Sequence, residues 1–158
     1  DPTKRKVRAT AKEGVSPNTL VGSPLAAGAV LEILANGSNA TAQTFVLLGG
    51  VDSMGKSFWR DLWPSGSRYS DSRGERGPVK KVVLRRSPSG TFSLKSVVLS
   101  KNGTLNVVPP APGTDGFVTL RFPGGDRYCV EYGASAQSTN DGAKLWRVTS
   151  VTGEGCPR

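Results

Sequence analysis

The segment from Gly50 to Ser57 has the spacing of a phosphate-binding loop. It reads G-V-D-S-M-G-K-S, which satisfies the pattern G-x-x-x-x-G-K-[ST], and an apolar run precedes it. In a nucleotide-binding protein this loop opens a helix whose first amides face the phosphates. Here the chain reaches Pro64 within two helical turns and then enters a Gly/Ser-rich stretch. The sequence therefore predicts a turn between strands and no nucleotide site.

Catalytic chemistry is restricted because the chain contains no histidine. Ser-His-Asp and Cys-His catalysis and His-ligated metal sites are thereby excluded. Paired carboxylates could still act as in glycosidases, but the acids are few and several adjoin a cation: Asp61 adjoins Arg60, Glu75 adjoins Arg76 and Asp126 adjoins Arg127. Neither Asp71 with Glu75 nor Asn140 with Asp141 has the oxygen spacing of a calcium loop. We therefore predict a protein that is not an enzyme and holds no cofactor or metal.

Aromatic and basic side chains cluster after this segment. Two indoles and a phenol lie among arginines from Phe58 to Tyr69, which suits a platform that stacks on sugar rings while guanidinium groups reach acidic substituents. The alternative is that the rings are core residues, since large aromatic side chains are usually well buried. The candidate ligand-binding residues are Trp59, Arg60, Trp63, Arg68, Tyr69, Arg73, Arg76, Lys80 and Lys81.

The formal net charge is +9, from 21 Lys and Arg against 12 Asp and Glu. This balance favours a negatively charged partner, and we expect an acidic polysaccharide or cell-surface glycan rather than nucleic acid. The alternative is a solvated surface that keeps a β protein soluble and protects its sheet edges. We expect the cations that flank Val82-Val83-Leu84 to meet Arg73 and Arg76 in one positive patch. No apolar stretch is long enough to cross a membrane.

A β framework has to position these residues. Residues 79–92 and 94–105 nearly repeat each other, and each copy is a β-branched apolar run followed by a Gly-Thr turn, as in a strand that enters a hairpin. Similar short runs, separated by Gly and Pro, indicate about nine or ten antiparallel strands. We predict a single all-β domain over residues 1–158, a two-sheet sandwich or related β-roll. Residues 1–5 are interpreted as a flexible end or a linker to an upstream region.

One element is ambiguous between helix and strand. Ser23 and Pro24 are typical of a helix start, whereas the alternation around Glu32 is typical of a strand. We predict a strand from Ala29 to Ala35. Elsewhere we predict a loop over residues 64–77 and a strand over residues 104–108.

The two cysteines, Cys129 and Cys156, both lie near the C-terminus. Their separation excludes close-spaced zinc pairs. A disulfide between them would close a loop of about 27 residues and stabilise the fold by about 3 kcal/mol. We favour this disulfide, which implies an oxidising compartment; two buried free thiols are the alternative.

Spaced motifs run through the chain up to its tail. R-Y-C-V-E-Y-G begins at Arg127 and is followed by a terminal C-P at Cys156, while Y-S-D begins at Tyr69 and G-P-V-K-K-V-V-L at Gly77. These motifs resemble the R-Y-C-x-x-[FY]-G, C-P, Y-x-D and G-P-x-K-x-V-x-L motifs of uncharacterised β-rich C-terminal segments in secreted proteins of environmental bacteria. The resemblance implies a secreted β protein and transfers no activity.

The favoured function combines the charge with this location. We predict an extracellular, non-catalytic module that binds or adheres to an anionic polymer or glycan surface. The alternative is a structural or fibre subunit that self-associates by pairing strand edges.

Overall fold

The protein is an all-β structure. The computed structural model describes residues 2–16, 19–37, 41–62, 64–107, 113–132, 137–140 and 145–150. Within these ranges eleven strands form one sheet of seven strands and one of four. The prediction of an all-β fold with two sheets is confirmed.

The larger sheet contains strands from both ends of the chain. Its strands are β1 (Lys6–Glu13), β4 (Trp59–Asp61), β5 (Gly66–Ser70), β6 (Val79–Arg86), β7 (Phe92–Leu99), β10 (Gln137–Asn140) and β11 (Leu145–Ser150). They lie in the order β10-β11-β1-β7-β6-β5-β4. Neighbours are antiparallel except β1 and β11, which run parallel, so the prediction of antiparallel strands throughout is wrong at this pair. A parallel pair needs a long connection, and most of the chain lies between these two strands.

The smaller sheet contains β2 (Ala29–Gly37), β3 (Thr41–Leu47), β8 (Gly113–Arg121) and β9 (Arg127–Tyr132), in the order β3-β2-β8-β9. All its described pairs are antiparallel. Both sheets contribute side chains to a single buried hydrophobic cluster. Phe92 of β7 stacks on Tyr128 of β9 with 5.4 Å between the ring centroids, which joins the two sheets at one end.

The ambiguous segment contains both predicted structures. Ser23 caps a one-turn helix, α1 (Pro24–Ala27), and the strand β2 begins at Ala29. Gly28, with φ 72°, ends the helix in a conformation that few other residues adopt. The predicted strand from Ala29 to Ala35 is therefore confirmed, and the capping signal marked a real but very short helix.

Two other predictions about elements need correction. The predicted loop over residues 64–77 contains β5, whose Ser67 and Tyr69 are buried. The described part of the predicted strand 104–108 contains no strand, although Leu105 and Val107 are buried. Composition was misleading for β5 because Gly and Ser are common in loops, but strand pairing and burial can override this preference.

The N-terminal residues are attached to the sheet. Pro2–Lys4 form a 3-10 turn, and Arg5 Nη1 donates a hydrogen bond of 3.0 Å to the carbonyl oxygen of Leu105. The carbonyl oxygen of Arg5 accepts from the Ser100 amide at 3.1 Å. Residues 2–5 of the predicted linker thus contact the body of the domain.

Cys129 lies half-buried in β9, and the described part of the chain contains no free cysteine. Cys156 lies outside the described residues, so the Cys129–Cys156 pair stays a prediction. Among the helices described, none is long and apolar enough to cross a bilayer.

Candidate functional site

The aromatic side chains of β4 and β5 belong to the core. Trp59 and Tyr69 are 2% and 1% exposed, and their rings lie 5.3 Å apart. The indole Nε1 donates a hydrogen bond of 3.1 Å to the carbonyl oxygen of Leu47. Trp59 and Tyr69 therefore cannot stack on a ligand, and the predicted sugar platform is wrong for both residues. Trp63 lies outside the described residues.

Burial of the tyrosines gives a prediction about alkaline pH. Burial raises the pKa of Tyr69 to about 12, and the nearby Asp71 carboxylate acts in the same direction. Burial also raises the pKa of Tyr128 and Tyr132, which complete the three tyrosines of the chain. We expect near-ultraviolet absorbance to show much less tyrosinate at pH 10, the ordinary midpoint, than the unfolded chain shows.

The same shift links pH to stability. A raised folded-state pKa means that the neutral phenol favours the folded state, so its contribution is complete below pH 10 and is lost as pH rises towards 12. Chemical unfolding curves across this range should therefore show a falling free energy of unfolding. Tyrosines that titrate with an ordinary midpoint in the folded protein would contradict the burial of these rings.

The Gly50–Ser57 segment is a closed turn. Val51 forms a β-bridge with Ser57, and the Asp52 carboxylate accepts hydrogen bonds from the amides of Met54 and Lys56 at 2.9 and 2.8 Å. The next regular element is β4, and the predicted turn between strands is confirmed. Two amides that a phosphate-binding loop would offer to its ligand are occupied by Asp52. The absence of nucleotide binding stays a prediction.

A second loop is organised around the buried carboxylate of Asp71. This side chain is 2% exposed and accepts hydrogen bonds from the amides of Gly74, Glu75 and Arg76 at 2.7, 3.0 and 2.8 Å. Both carboxylate oxygens are thereby used by the backbone. The carboxylate shapes the loop and has no role as a calcium ligand in this arrangement.

Arg73 joins the two loops and is surrounded by acids. The Glu75 carboxylate accepts from the Ser53 amide at 2.8 Å and from its hydroxyl at 2.6 Å, which lowers the pKa of Glu75. Arg73 Nη1 lies 3.7 Å from Glu75 and 3.8 Å from Asp52. These two acids offset part of its charge, and the role of Arg73 in a positive patch stays a prediction.

Arg76 and Lys80 are both exposed near the 71–77 loop. The Arg76 guanidinium carbon lies 5.3 Å from the centroid of the Phe58 ring, in a cation–π contact. The carbonyl oxygen of Lys80 accepts a hydrogen bond of 2.9 Å from the Asp71 amide, and Lys80 lies at an irregularity in the β6–β7 pairing, between Val79 and Lys81. The patch of these residues with the 71–77 loop stays a prediction.

A different set of cations shares one surface. On β1 and β4–β7 the inward positions are buried, and the alternate outward positions carry basic side chains. We call these outward cations the basic face: Lys6, Arg8, Lys12, Arg60, Arg68, Lys81, Arg85 and Lys95.

The strand register brings the basic face together. Arg60 pairs with Arg68, and Arg68 lies opposite Val83, which pairs with Lys95. Lys95 in turn pairs with Thr10 of β1. Since adjacent strands lie about 4.8 Å apart, this row crosses five strands over about 19 Å. The other cations lie on the rows to either side, two or more residues along the strands.

The cations of this surface form no salt bridges in the described structure. The outward positions of β1 and β4–β7 contain no Asp or Glu, although Glu13 and the exposed Asp61 lie at the ends of β1 and β4. A shallow depression of about 460 Å³ is lined by Lys12, Lys81, Arg85 and Lys95, together with serine, threonine and apolar side chains. The face can therefore hold an extended anion against several cations at once.

Sequence reasoning identified part of the basic face. Three candidate residues, Arg60, Arg68 and Lys81, lie on it, and five other cations were missed as site residues: Lys6, Arg8, Lys12, Arg85 and Lys95. The available signal was alternation, since four of these five cations follow a small or apolar residue that is buried. What alternation does not show is which strands are neighbours.

No family model, curated protein or solved structure matches this chain. The function must therefore be argued from the basic face.

Proposed function

We propose that the protein is a non-catalytic module that binds an acidic polysaccharide through the basic face. The observation that carries the proposal is the collection of eight cations on one sheet surface, none of which forms a salt bridge in the described structure. Like charges on adjacent strands repel one another, so this arrangement costs stability in the free protein. A bound polyanion offsets this repulsion, and it is attracted by the summed positive potential of the eight cations.

The dimensions and chemistry favour a polymer of sugars. The row of paired residues crosses about 19 Å, which is more than one small ligand can contact. Hydroxyl side chains, Thr10, Ser70 and Ser93, lie between the cations and can hydrogen-bond to sugar hydroxyls. The outward positions of β1 and β4–β7 carry no aromatic ring on which nucleic-acid bases could stack.

A triple variant tests the proposal. Replacing Lys81, Arg85 and Lys95 by serine should weaken binding to immobilised polygalacturonate at low salt by at least about tenfold, because three contacts to the polymer are lost. The melting temperature should change by only a few degrees, since exposed charges contribute little to stability. Retention measured as a function of salt concentration gives both the affinity and its salt dependence.

The matched control removes the same charge elsewhere. Serine at Lys101, Arg121 and Arg127, which are exposed and lie outside the basic face, also reduces the net charge by three. This control should retain binding close to the wild-type value. Equal retention of the two triple variants would show that net charge alone acts and would refute the basic face as the site.

We propose an extracellular location, supported by the cysteine content of the chain. The Cys129–Cys156 disulfide is expected because a thiol in the tail would otherwise have no structural use. Intact mass after alkylation, with and without prior reduction, measures the number of free thiols. We expect none in the unreduced, denatured protein, and two alkylated thiols would contradict the pairing.

Assembly through a strand edge is the second candidate function. β3 is an edge strand of the smaller sheet and carries no charged residue from Thr41 to Leu47, whereas natural edges are usually protected by charge. Val46 on this strand is 62% exposed. A light-scattering mass that rises with concentration, without any polyanion, would favour this function over polysaccharide binding.

A further inference from the structure

A small cavity lies at the β4 end of the basic face. Its volume is about 50 Å³, and its polar lining comes from Lys56, Ser57, Arg60, Arg68 and Ser70. Three cations and two hydroxyls thus surround a small space that is open to solvent. A small anionic group carried by a polymer can enter this cavity from the surface.

Two of the cations oppose each other directly. Arg60 and Arg68 are paired residues on adjacent antiparallel strands, and each is exposed. Neither forms a salt bridge in the described structure. Because like charges placed opposite each other destabilise a sheet, this pair is unfavourable unless an anion lies between them.

The third cation comes from the turn whose sequence resembles a phosphate-binding loop. Asp52 fixes this turn by accepting hydrogen bonds from two of its amides, one of which is that of Lys56. The turn then presents Lys56 and Ser57 to the cavity. Asp52 faces its own amides and Arg73 and is not among the residues that line the cavity.

We propose that this cavity binds one tetrahedral oxyanion, a sulfate or phosphate group carried by the polysaccharide. That the anion is carried by a polysaccharide rests on the proposed function. That the anion is a sulfate or phosphate group rests on the cavity alone. The three terminal oxygens of such a group point in three directions, one towards each cation. A carboxylate presents only two oxygens in one plane, so it matches three cations placed in different directions less well than a tetrahedral group does. The cavity therefore selects sulfated or phosphorylated chains over purely carboxylated ones.

Amide chemical shifts measured during titration with inorganic sulfate, at constant ionic strength against chloride, test the cavity. Saturable shifts are expected at Ser57 and Ser70. The variant Arg68→Ser should bind sulfate at least about tenfold more weakly, as expected for the loss of one charge-assisted hydrogen bond. Lys95→Ser, which lies on the basic face outside the cavity, should bind sulfate like the wild type. Equal shifts in Arg68→Ser and wild type would overturn the proposal.

The stability of the variants supplies an independent measurement. Without sulfate, Arg68→Ser and Arg60→Ser should each melt at or above the wild-type temperature, because each removes a repulsive pair. Sulfate should raise the melting temperature of the wild type and not of the variants. A wild-type melting temperature that does not change when sulfate is added would also overturn the proposal.

Binding to two polymers that share a dextran backbone but carry different anionic groups tests this inference separately from the proposed function. The wild type should bind dextran sulfate more tightly than carboxymethyl dextran of equal length and charge, and Arg68→Ser should lose the preference while still binding both. Equal binding of both polymers by the wild type would overturn the cavity and leave the basic face intact. Binding of sulfate without retention of either polymer would support the cavity as a site for a free anion and overturn the polysaccharide function.

Discussion

Replacing Trp59 by alanine is expected to lower the free energy of unfolding by about 3–5 kcal/mol. The side chain is 2% exposed and contacts Tyr69 and Phe122, with ring centroids 5.3 and 6.2 Å away. Its loss leaves a large cavity between the sheets and removes the hydrogen bond from Nε1 to the carbonyl oxygen of Leu47. Urea unfolding followed by far-ultraviolet circular dichroism measures the change.

Two controls separate the contributions. Trp59→Phe keeps most of the apolar contact and loses the hydrogen bond, so its effect should be clearly smaller. Arg60→Ala changes the next residue of β4, which points outward, and should alter stability by less than about 0.5 kcal/mol. If Trp59→Ala were as mild as Arg60→Ala, the indole would not be in the core and could be a ligand platform after all.

These neighbouring positions also explain how core and site are related. Trp59 pairs with Tyr69, and Arg60 pairs with Arg68, in the same two strands. Because successive side chains point to opposite faces of a sheet, burial of the aromatic pair places the arginine pair in solvent. The cluster of aromatic and basic residues noted in the sequence is thus two clusters on two faces. Composition alone could not separate them, since separation required the exact strand boundaries.

The strands that sequence analysis predicted well are those with strong alternation or an apolar run. The bounds of β2, β6 and β7 were predicted within a few residues. The apolar runs of β6 and β7 contain Val82, Leu84 and Val98, which are fully buried. β5 was missed because Gly66 and three serines in and beside the strand have the composition of a loop. Its pairing with β6 supplies the stability that its composition lacks.

The site was less predictable than the fold because it depends on register. Lys95 and Lys12 lie 83 positions apart in the sequence, yet β7 pairs with β1 and places both beside the same depression. The local sequence of β1 or β7 does not indicate which strand it pairs with. The ion pair of Arg73 could not be predicted for a similar reason, since its acidic partner Asp52 comes from a separate loop.

The largest effect expected outside the hydrophobic core comes from Asp71. Replacing it by alanine removes the acceptor of three amide hydrogen bonds at a position that is 2% exposed, so the free energy of unfolding should fall by roughly 3 kcal/mol. Gly74 has φ 73°, and a Cβ at this position would collide with Asn102, so the loop packs closely against the Asn102 side chain.

Asp71→Asn is the informative companion variant. It keeps a neutral oxygen acceptor but loses the charge and one acceptor oxygen, so its effect should be intermediate between wild type and alanine. Asp52→Ala is the matched control, because Asp52 accepts two amide hydrogen bonds in an exposed turn where water can replace it. Its effect should be smaller than that of Asp71→Ala in the same urea unfolding experiment. Since the 71–77 loop lies off the basic face, Asp71→Ala should still bind polygalacturonate at temperatures where it is folded. Loss of that binding in the folded variant would place the site in this loop and not on the sheet.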